Sequence, residues 1–401
     1  MAEQPAHGRL SRRDAVTEDG MKKICIVYDT GDGRRGGHFT EYAFCGLPGA
    51  DIAALADRNR EAEDGFRRSG ASKRYFDWRE MLDIEKPDIA VFCSRLPDEH
   101  TEQIRYAIDR RIHVLCEKPL AADLEAADGL VAKAKAAGVL IQVAHLARFA
   151  PVFREMKRRI DAGTIGRPLT CYMRGKEDDR GGGEDMMVLG THLFDVSVML
   201  FGRPESVWAE VRQNGQIIRR GDTIPVSEPM GLCAGDDIFA RFRYANGVNG
   251  IFESRRGMVP GNGADRFGIV VSGTKGTLAM RYSGGRTLRF CGGFPTPFED
   301  AAEFQELPLP PPEPIPDTAP LDYAAYGMDP ESPAHRYYAD NNRRAAWELL
   351  RAADGLTTLS SSAEDALASL EMIEGVYASG ISGRTVALPL ADRKHPLAAK
   401  G

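Results

Sequence analysis

The 401-residue sequence has no apolar run approaching the ~20 residues of a membrane-spanning helix, so no such helix is expected. It has no excess of positive charge. Its 52 Lys and Arg face 58 Asp and Glu, and the net charge of -6 argues against nucleic-acid binding as the main function. Cysteine is sparse, odd in number at seven, and never arranged as CxxC. Cys25, Cys45, Cys93, Cys116, Cys171, Cys233 and Cys291 mostly fall in apolar, strand-like segments. They read as small core residues in a reducing, cytoplasmic compartment. No His/Cys/Asp set has metal-ligand spacing, so no metal is expected. What is present is an ordinary globular composition, 43% hydrophobic and 27% charged, with length for about two domains.

Residues 1–20 are polar and lack periodicity, and they read as a disordered tail. The "SRRD" within them is not followed by the apolar stretch of an export signal. From Met21 to His145 strands and helices alternate, which predicts a doubly wound parallel sheet. "KKICIVYD" reads as the first strand, "GDGRRGG" as a loop, "HFTEYAFCGL" as a helix and "ADIAALAD" as a second strand. Gly31, Gly33 and Gly36 fit G-x-G-x-x-G, and Asp57 follows Gly36 by 21 residues. Glycines permit close backbone approach to a pyrophosphate, a helix N-terminus favours its charge, and the acid holds the ribose hydroxyls. Asp57 favours NAD; Arg58, Arg34 and Arg35 leave NADP open.

After the strand "IHVLC" come Glu117 and Lys118, at the strand end where open α/β sheets bind ligands. An ion pair at the surface would also explain them. Beside a nicotinamide and partly desolvated, however, the lysine would fall toward neutral pH and suit proton transfer. Arg95, Pro97 and His100 follow the preceding strand and are expected to border the cofactor. His192, in "GGGEDMMVLGTHLFD", sits on a helix-like apolar run, where a buried structural histidine and a proton carrier look alike.

Several of these stretches together resemble the Gfo/Idh/MocA oxidoreductases: the glycine loop, "ALAD", "HVLCEKPLA", "GTIGRPL", "GGGEDMMVLGTHLFD", "VSGTKGTL" and "VALPLADRKHPL". The resemblance implies a Rossmann domain over 21–145. It also implies a C-terminal α+β domain over 146–401 with a large, mainly antiparallel sheet, and a homodimer or homotetramer formed through that sheet. It implies hydride exchange between a nicotinamide and a carbohydrate or cyclitol carbon, with proton handling shared by Lys118 and His192. His145 and Arg148 are implied to touch substrate or nicotinamide; a hinge residue and a surface arginine is the alternative. The family often carries an aspartate one turn before the histidine, where this chain has Val188. Asp185, Glu177, Asp178, Asp179 and Glu184 lie in or beside the preceding loop and are candidates to enter the substrate pocket. Tyr172 and Arg174 alternate along a strand expected beside it.

"SVWAEVRQ", "DIFARFRY", "GVNGIFESRR", "RFGIVVSG", "TLAMRYS" and "TLRFC" read as strands joined by the turns "ANG", "GTKG" and "SGGR". Two amphipathic helices, near 335–353 and 363–379, close the second domain. Besides a sugar or cyclitol dehydrogenase, two readings remain. One is a glycoside-cleaving enzyme working through a transient keto-sugar. The other is a dinucleotide-binding regulator without catalysis.

Overall fold

The computed structural model describes residues 20–30, 37–228, 230–261, 263–264, 266–282, 286–293 and 303–399. Gly31, Gly33 and Gly36, with Arg34 and Arg35, lie outside them, as does most of the proposed tail. The first sheet has six parallel strands in the order β3-β2-β1-β4-β5-β6. They are β1 (Lys22–Val27), β2 (Ala50–Ala56), β3 (Lys73–Tyr75), β4 (Ile89–Phe92), β5 (His113–Cys116) and β6 (Ile141–Val143). Strands buried on both faces need continuous apolar character, and "KKICIV", "IAVF" and "HVLC" provide it.

Between them run α1 (Asp64–Ser69), α2 (Trp78–Glu85), α3 (Pro97–Asp109) and α4 (Leu124–Ala137), followed by α5 (Pro151–Asp161). Asp77 caps α2 by accepting from Arg79 and Glu80 N–H, and Asp123 caps α4 by accepting from Ala126 N–H. α2, α3 and α4 cover the face bearing Cys25, Val27, Ala90, Phe92, Val114 and Cys116.

The helix expected over 38–47 is absent. That stretch makes one 3-10 turn, Thr40–Tyr42, followed by further turns. Phe39 is left-handed, at φ 62°, so the helix cannot start earlier, and Gly46, Pro48 and Gly49 stop it within ten residues. Tyr42, Ala43, Phe44, Cys45 and Leu47 are all buried, so the segment packs on all sides and not along one stripe. The sheet face it leaves uncovered is filled from the far end of the chain. Ala345, Ala346, Leu349 and Leu350 of α8 (Pro333–Ala353) pack with Ile24, Ile26, Leu55, Ile89, Val91 and Leu115.

The second sheet has β7 (Pro168–Arg174), β8 (Pro204–Gln213), β9 (Gln216–Ile217), β10 (Asp237–Tyr244), β11 (Asn249–Arg255), β12 (Gly268–Gly273), β13 (Gly276–Arg281), β14 (Leu288–Gly292), β15 (Gln305–Leu307) and β16 (Val386–Ala387). Its order is β15-β14-β13-β12-β7-β11-β10-β8-β16, with β9 on β8. Every pairing is antiparallel except β11 with β7. "ANG" and "GTKG" sit where expected, joining β10 to β11 and β12 to β13. "SGGR" lies largely outside the described residues. One face of the sheet carries Cys171, Met173, Ala209, Ala240, Phe242 and Phe252 into the same core as the helices. The other face carries a small cluster of Val270, Ala279, Cys291 and Phe304, with Tyr172 against it.

On the covered face lies one helical run: α6 (Gly183–Asp185), a π-helical turn (Met186–Gly190) and α7 (Thr191–Phe201). α9 (Ala363–Ser382), started by a Ser362–Asp365 capping box, packs beside α7. The three glycines before the run are explained by backbone contact. A Cβ would come 2.3 Å from the Arg255 carbonyl at Gly181, 2.4 Å from the Gly235 carbonyl at Gly182 and 2.2 Å from the Ala234 carbonyl at Gly183. Gly182 also has φ +95°. Gly182→Ala is therefore expected to destabilise the protein by about 2–5 kcal/mol, from backbone strain plus overpacking. Thermal unfolding checks this, at about 1–2 °C per kcal/mol for a chain of 401 residues. An unchanged melting temperature would contradict the packing described.

Candidate functional site

β5 ends at Cys116, and the next two residues lie at the carboxyl edge of the parallel sheet. Glu117 is buried, and its Oε1 accepts from the His38 N–H at 2.9 Å and from the Thr40 hydroxyl. Its Oε2 is 3.5 Å from His38 Nδ1. A Cβ on Gly37 would stand 2.5 Å from Glu117 Oε1 and 2.8 Å from the Cys93 carbonyl. Gly37 thus lets the chain leaving the glycine-rich segment press onto Glu117. Burial opposes ionisation of this carboxyl. The His38 charge and the hydrogen bonds from His38 and Thr40 outweigh it, and the pKa sits well below the carboxylate range.

Lys118 is 2% exposed, and its Nζ donates to the Val188 carbonyl at 3.0 Å. Burial lowers its pKa to about 8, with Glu117 and Glu228 pulling upward and Arg95 and Arg180 pushing down. The acceptor comes from the π-helical turn. Such a turn loosens the i→i+4 ladder and leaves a carbonyl free to take another donor. Val188 has no side-chain acceptor, yet the residue still holds the lysine, through its backbone.

His192 begins one residue into α7, four residues past Val188. It is only partly covered, and among the described residues its ring nitrogens have no hydrogen-bond partner. Its ring meets His145 edge-on, with centroids 6.0 Å apart and planes at 86°. Burial, then the charges of Lys118, His145 and His38, drives its pKa well below the ordinary histidine value. The imidazole is therefore neutral at pH 7, close enough to Lys118 to feel its charge, and both ring nitrogens remain available.

His145 is fully buried. Its Nε2 lies 3.4 Å from Thr191 Oγ1 and its Nδ1 3.4 Å from Asp195 Oδ1, the latter without hydrogen-bond geometry. Burial, partly offset by Asp195, lowers its pKa. Arg148 is neither a surface residue nor open to a ligand. Its Nε is 2.9 and 2.8 Å from the two Asp195 oxygens, its Nη1 donates to the Ser360 carbonyl at 2.8 Å, and Asp365 is 3.4 Å away.

The other candidates divide. Asp57 follows β2 directly, and three of its acceptor positions are filled by Thr30 N–H (2.9 Å), the Thr30 hydroxyl (2.6 Å) and Asn59 N–H (2.9 Å). Arg58 pairs with Asp29 and with Glu99 at 3.2 Å. Pro97 opens α3 at the same sheet edge. His100, expected at the ligand surface, is fully buried beneath residues 117–120, with Nδ1 3.2 Å from the Pro119 carbonyl. Its pKa falls to about 4 through burial, so it is a packing residue of the loop and not a contact in the cleft.

Asp185 likewise faces inward. It accepts from Lys176 N–H and Glu177 N–H at 3.1 Å each and from the Ser254 hydroxyl at 2.5 Å, which fixes the loop before the glycines. Burial raises its pKa. Tyr172 and Arg174 bond Glu253 on the open face of the second sheet, on the side opposite Cys171 and Met173. Strand side chains alternate between faces, so the residue pair nearest the site in sequence points away from it.

Arg180, Glu228 and His38 carried no sequence signal of their own, and Arg95 and Glu184 make contact with Glu228. Arg95 Nη1 and Arg180 Nη1 each lie 2.9 Å from Glu228, which links the first sheet's loops to the second domain near Lys118. Glu184 sets Glu228 in place by accepting from Ser227 N–H, the Ser227 hydroxyl and Glu228 N–H. His38 stacks on Tyr338 of α8, with centroids 4.9 Å apart and planes at 22°. These contacts depend on α8 folding back onto the first sheet, an arrangement that no local pattern announces.

Residues 30–145 match the family model described as "Oxidoreductase family, NAD-binding Rossmann fold", and residues 153–279 match the "GFO/IDH/MocA C-terminal domain". Among curated proteins, the chain is 35% identical over 153 residues to scyllo-inositol 2-dehydrogenase (NAD(+)) of Bacillus subtilis (strain 168), covering 38% of this chain and 44% of that one. It is 28% identical over 254 residues to levoglucosan dehydrogenase of Pseudarthrobacter phenanthrenivorans, covering 57% and 64%. These matches thus span about half to two thirds of the relatives' own length. Among solved structures, a levoglucosan dehydrogenase in complex with NADH and levoglucosan superposes with a TM-score of 0.70 at 21% identity, covering 92% of this chain and 99% of that one. An NAD-binding oxidoreductase from Klebsiella pneumoniae gives 0.68 at 23%, covering 92% and 99%. The architecture is common to all of them, and the two family models together take in more than half of the chain. The chain belongs to the Gfo/Idh/MocA family of oxidoreductases.

Proposed function

We propose that this protein is a nicotinamide-dependent dehydrogenase interconverting a secondary hydroxyl and a ketone on a sugar, sugar derivative or cyclitol. The observation that carries the reading is the placement of Lys118 beside the His192 helix, at the carboxyl edge of the parallel sheet. A buried lysine lowered to about 8 and held by a neutral carbonyl is suited to exchange a proton near neutral pH. When bound, the nicotinamide supplies the hydride acceptor. The neutral amine of Lys118 takes the substrate hydroxyl proton. The neutral imidazole of His192 hydrogen-bonds the same oxygen and orients it. The related proteins whose names specify inositol or levoglucosan support this substrate class.

The cofactor fits the residues present: the sheet order, the Gly37–Glu117 contact and the acid directly after β2. Asp57, Pro97 and Glu117 frame its site. NAD is favoured over NADP, because Asp57 would repel a 2′-phosphate and Arg58 is already tied to Asp29 and Glu99. We place a subunit contact on the open face of the second sheet, where Trp208 is 38% exposed and packs edge-on to Phe239. Seven free, buried cysteines agree with a reducing, cytoplasmic setting. No helix among the described residues is long and apolar enough to cross a membrane.

The test is a panel of sugars and inositols with NAD and with NADP, read by absorbance of the reduced cofactor. Turnover with at least one polyol, faster with NAD, is expected. Release of an aglycone without net reduced cofactor would replace this reading with glycoside cleavage.

A further inference from the structure

Three arginines stand near the cleft, and they differ in how they are neutralised. Arg95 and Arg180 share the Glu228 carboxylate, and Arg180 also bonds Asp178. Arg286 has no carboxylate partner among the described residues. Its Nη1 donates to the Pro333 carbonyl at 3.1 Å, and its Nε is buried without a partner. The guanidinium lies 4.2 Å from the Tyr337 ring centroid, which fixes its plane. What remains is Nη2, which has no hydrogen-bond partner among the described residues and can donate a charge-assisted bond to a carboxylate oxygen.

Two links tie Arg286 to the proposed site. Tyr338, next to Tyr337, stacks on His38 and is acted on by the charges of Arg286, Glu117, Arg95 and Glu228. Tyr282, also beside Arg286, is acted on by Asp195, three residues past His192. Arg286 is thus joined through Tyr337 and Tyr338 to His38, which donates to Glu117. An unmatched cation there, in a chain of net charge -6, is a local feature that a neutral polyol does not use.

We propose that the substrate is a sugar acid, an aldonate or uronate, whose carboxylate is received by Arg286; this rests on the dehydrogenase reading above. The hydroxyl that reacts at Lys118 is then chosen by its distance from the carboxylate, and neutral sugars leave the guanidinium without a counter-charge.

The experiment compares aldonates and uronates with their neutral parent sugars and alditols, at saturating NAD. One or more acids are expected to exceed the neutral parent in kcat/KM by about tenfold or more, with the advantage shrinking as salt rises. Arg286→Gln is expected to raise KM for the acid by about tenfold or more while kcat changes less, and Arg286→Lys to recover only part. Thermal unfolding of both variants verifies folding, and NADH titration without substrate is expected to be unmoved. Neutral parents used as well as the acids, or an acid KM unmoved in Arg286→Gln, overturns the proposal while leaving the dehydrogenase reading intact. Weakened NADH binding by Arg286→Gln also overturns it, because the anion received is then the cofactor's phosphate. Absence of turnover with both acids and neutral compounds removes the dehydrogenase reading and this inference together.

Discussion

Replacing Lys118 with methionine is expected to lower kcat by about 10²–10⁴-fold, the range of a positioned acid–base group, while NADH still binds. Methionine is chosen because the side chain is 2% exposed, and a shorter residue would open a cavity beside the helical run. The amine does two things that methionine cannot. It exchanges a proton near pH 8, and it donates to the Val188 carbonyl, which fixes it against the turn leading to His192. The loss is expected mainly in kcat, because the proton moves in the chemical step. Initial rates with the best substrate of the panel, together with NADH titration, provide the measurement. A Lys118→Met enzyme within fivefold of the parent would assign the lysine to packing.

Replacing Asp195 with alanine is expected to cost about 3–5 kcal/mol of stability. Asp195 is wholly buried and meets Arg148 through both oxygens, with His145 at 3.4 Å. Without it, a buried guanidinium keeps only the Ser360 carbonyl and the more distant Asp365. The desolvation penalty of Arg148 then goes uncompensated, which is why removing one partner costs more than the pair contributes. Substituting Arg148 with methionine in the same chain is expected to recover part of the loss, and denaturant unfolding of the three variants measures the coupling. Independent, additive losses would show that the pair is not closed in solution. The same pair joins the residues after β6 to α7, so function is expected to fall in step with stability.

The fold was legible where pattern is local. Alternating apolar and amphipathic stretches located β1, β2, β4, β5 and β6 and the helices α3 and α4, while the three-residue β3 went unread. "EKPL" after an apolar strand singled out Lys118, because charge at the end of a buried strand needs a reason. The misreadings share a cause: they depend on what packs from a distance. "HFTEYAFCGL" has helical composition, but Phe39 in the left-handed region and the pressure of α8 on that face leave only a 3-10 turn. His100 and Asp185 are polar residues adjoining the site in sequence, yet each turns inward to bond backbone. Tyr172 and Arg174 were readable from strand parity, since Cys171 and Met173 are the apolar pair and must face the core. The carbonyl that holds Lys118 was hidden, because a π-helical turn leaves no mark in residue type. Glu228 and Arg286 enter only through tertiary contacts, on a loop and a turn without regular structure.

The central claim is that Lys118, lowered to about 8 by burial and held by a carbonyl, carries the substrate proton. The most direct measurement is the pH dependence of kcat/KM for alcohol oxidation at saturating NAD, in the parent and in Lys118→Met. Oxidation requires the unprotonated amine, so the rate is expected to climb as pH rises through about 8 and then level off, with reduction showing the opposite slope. In Lys118→Met the limb is expected to vanish. A parent profile flat between pH 7 and 9, or the same limb surviving in the variant, would contradict the account.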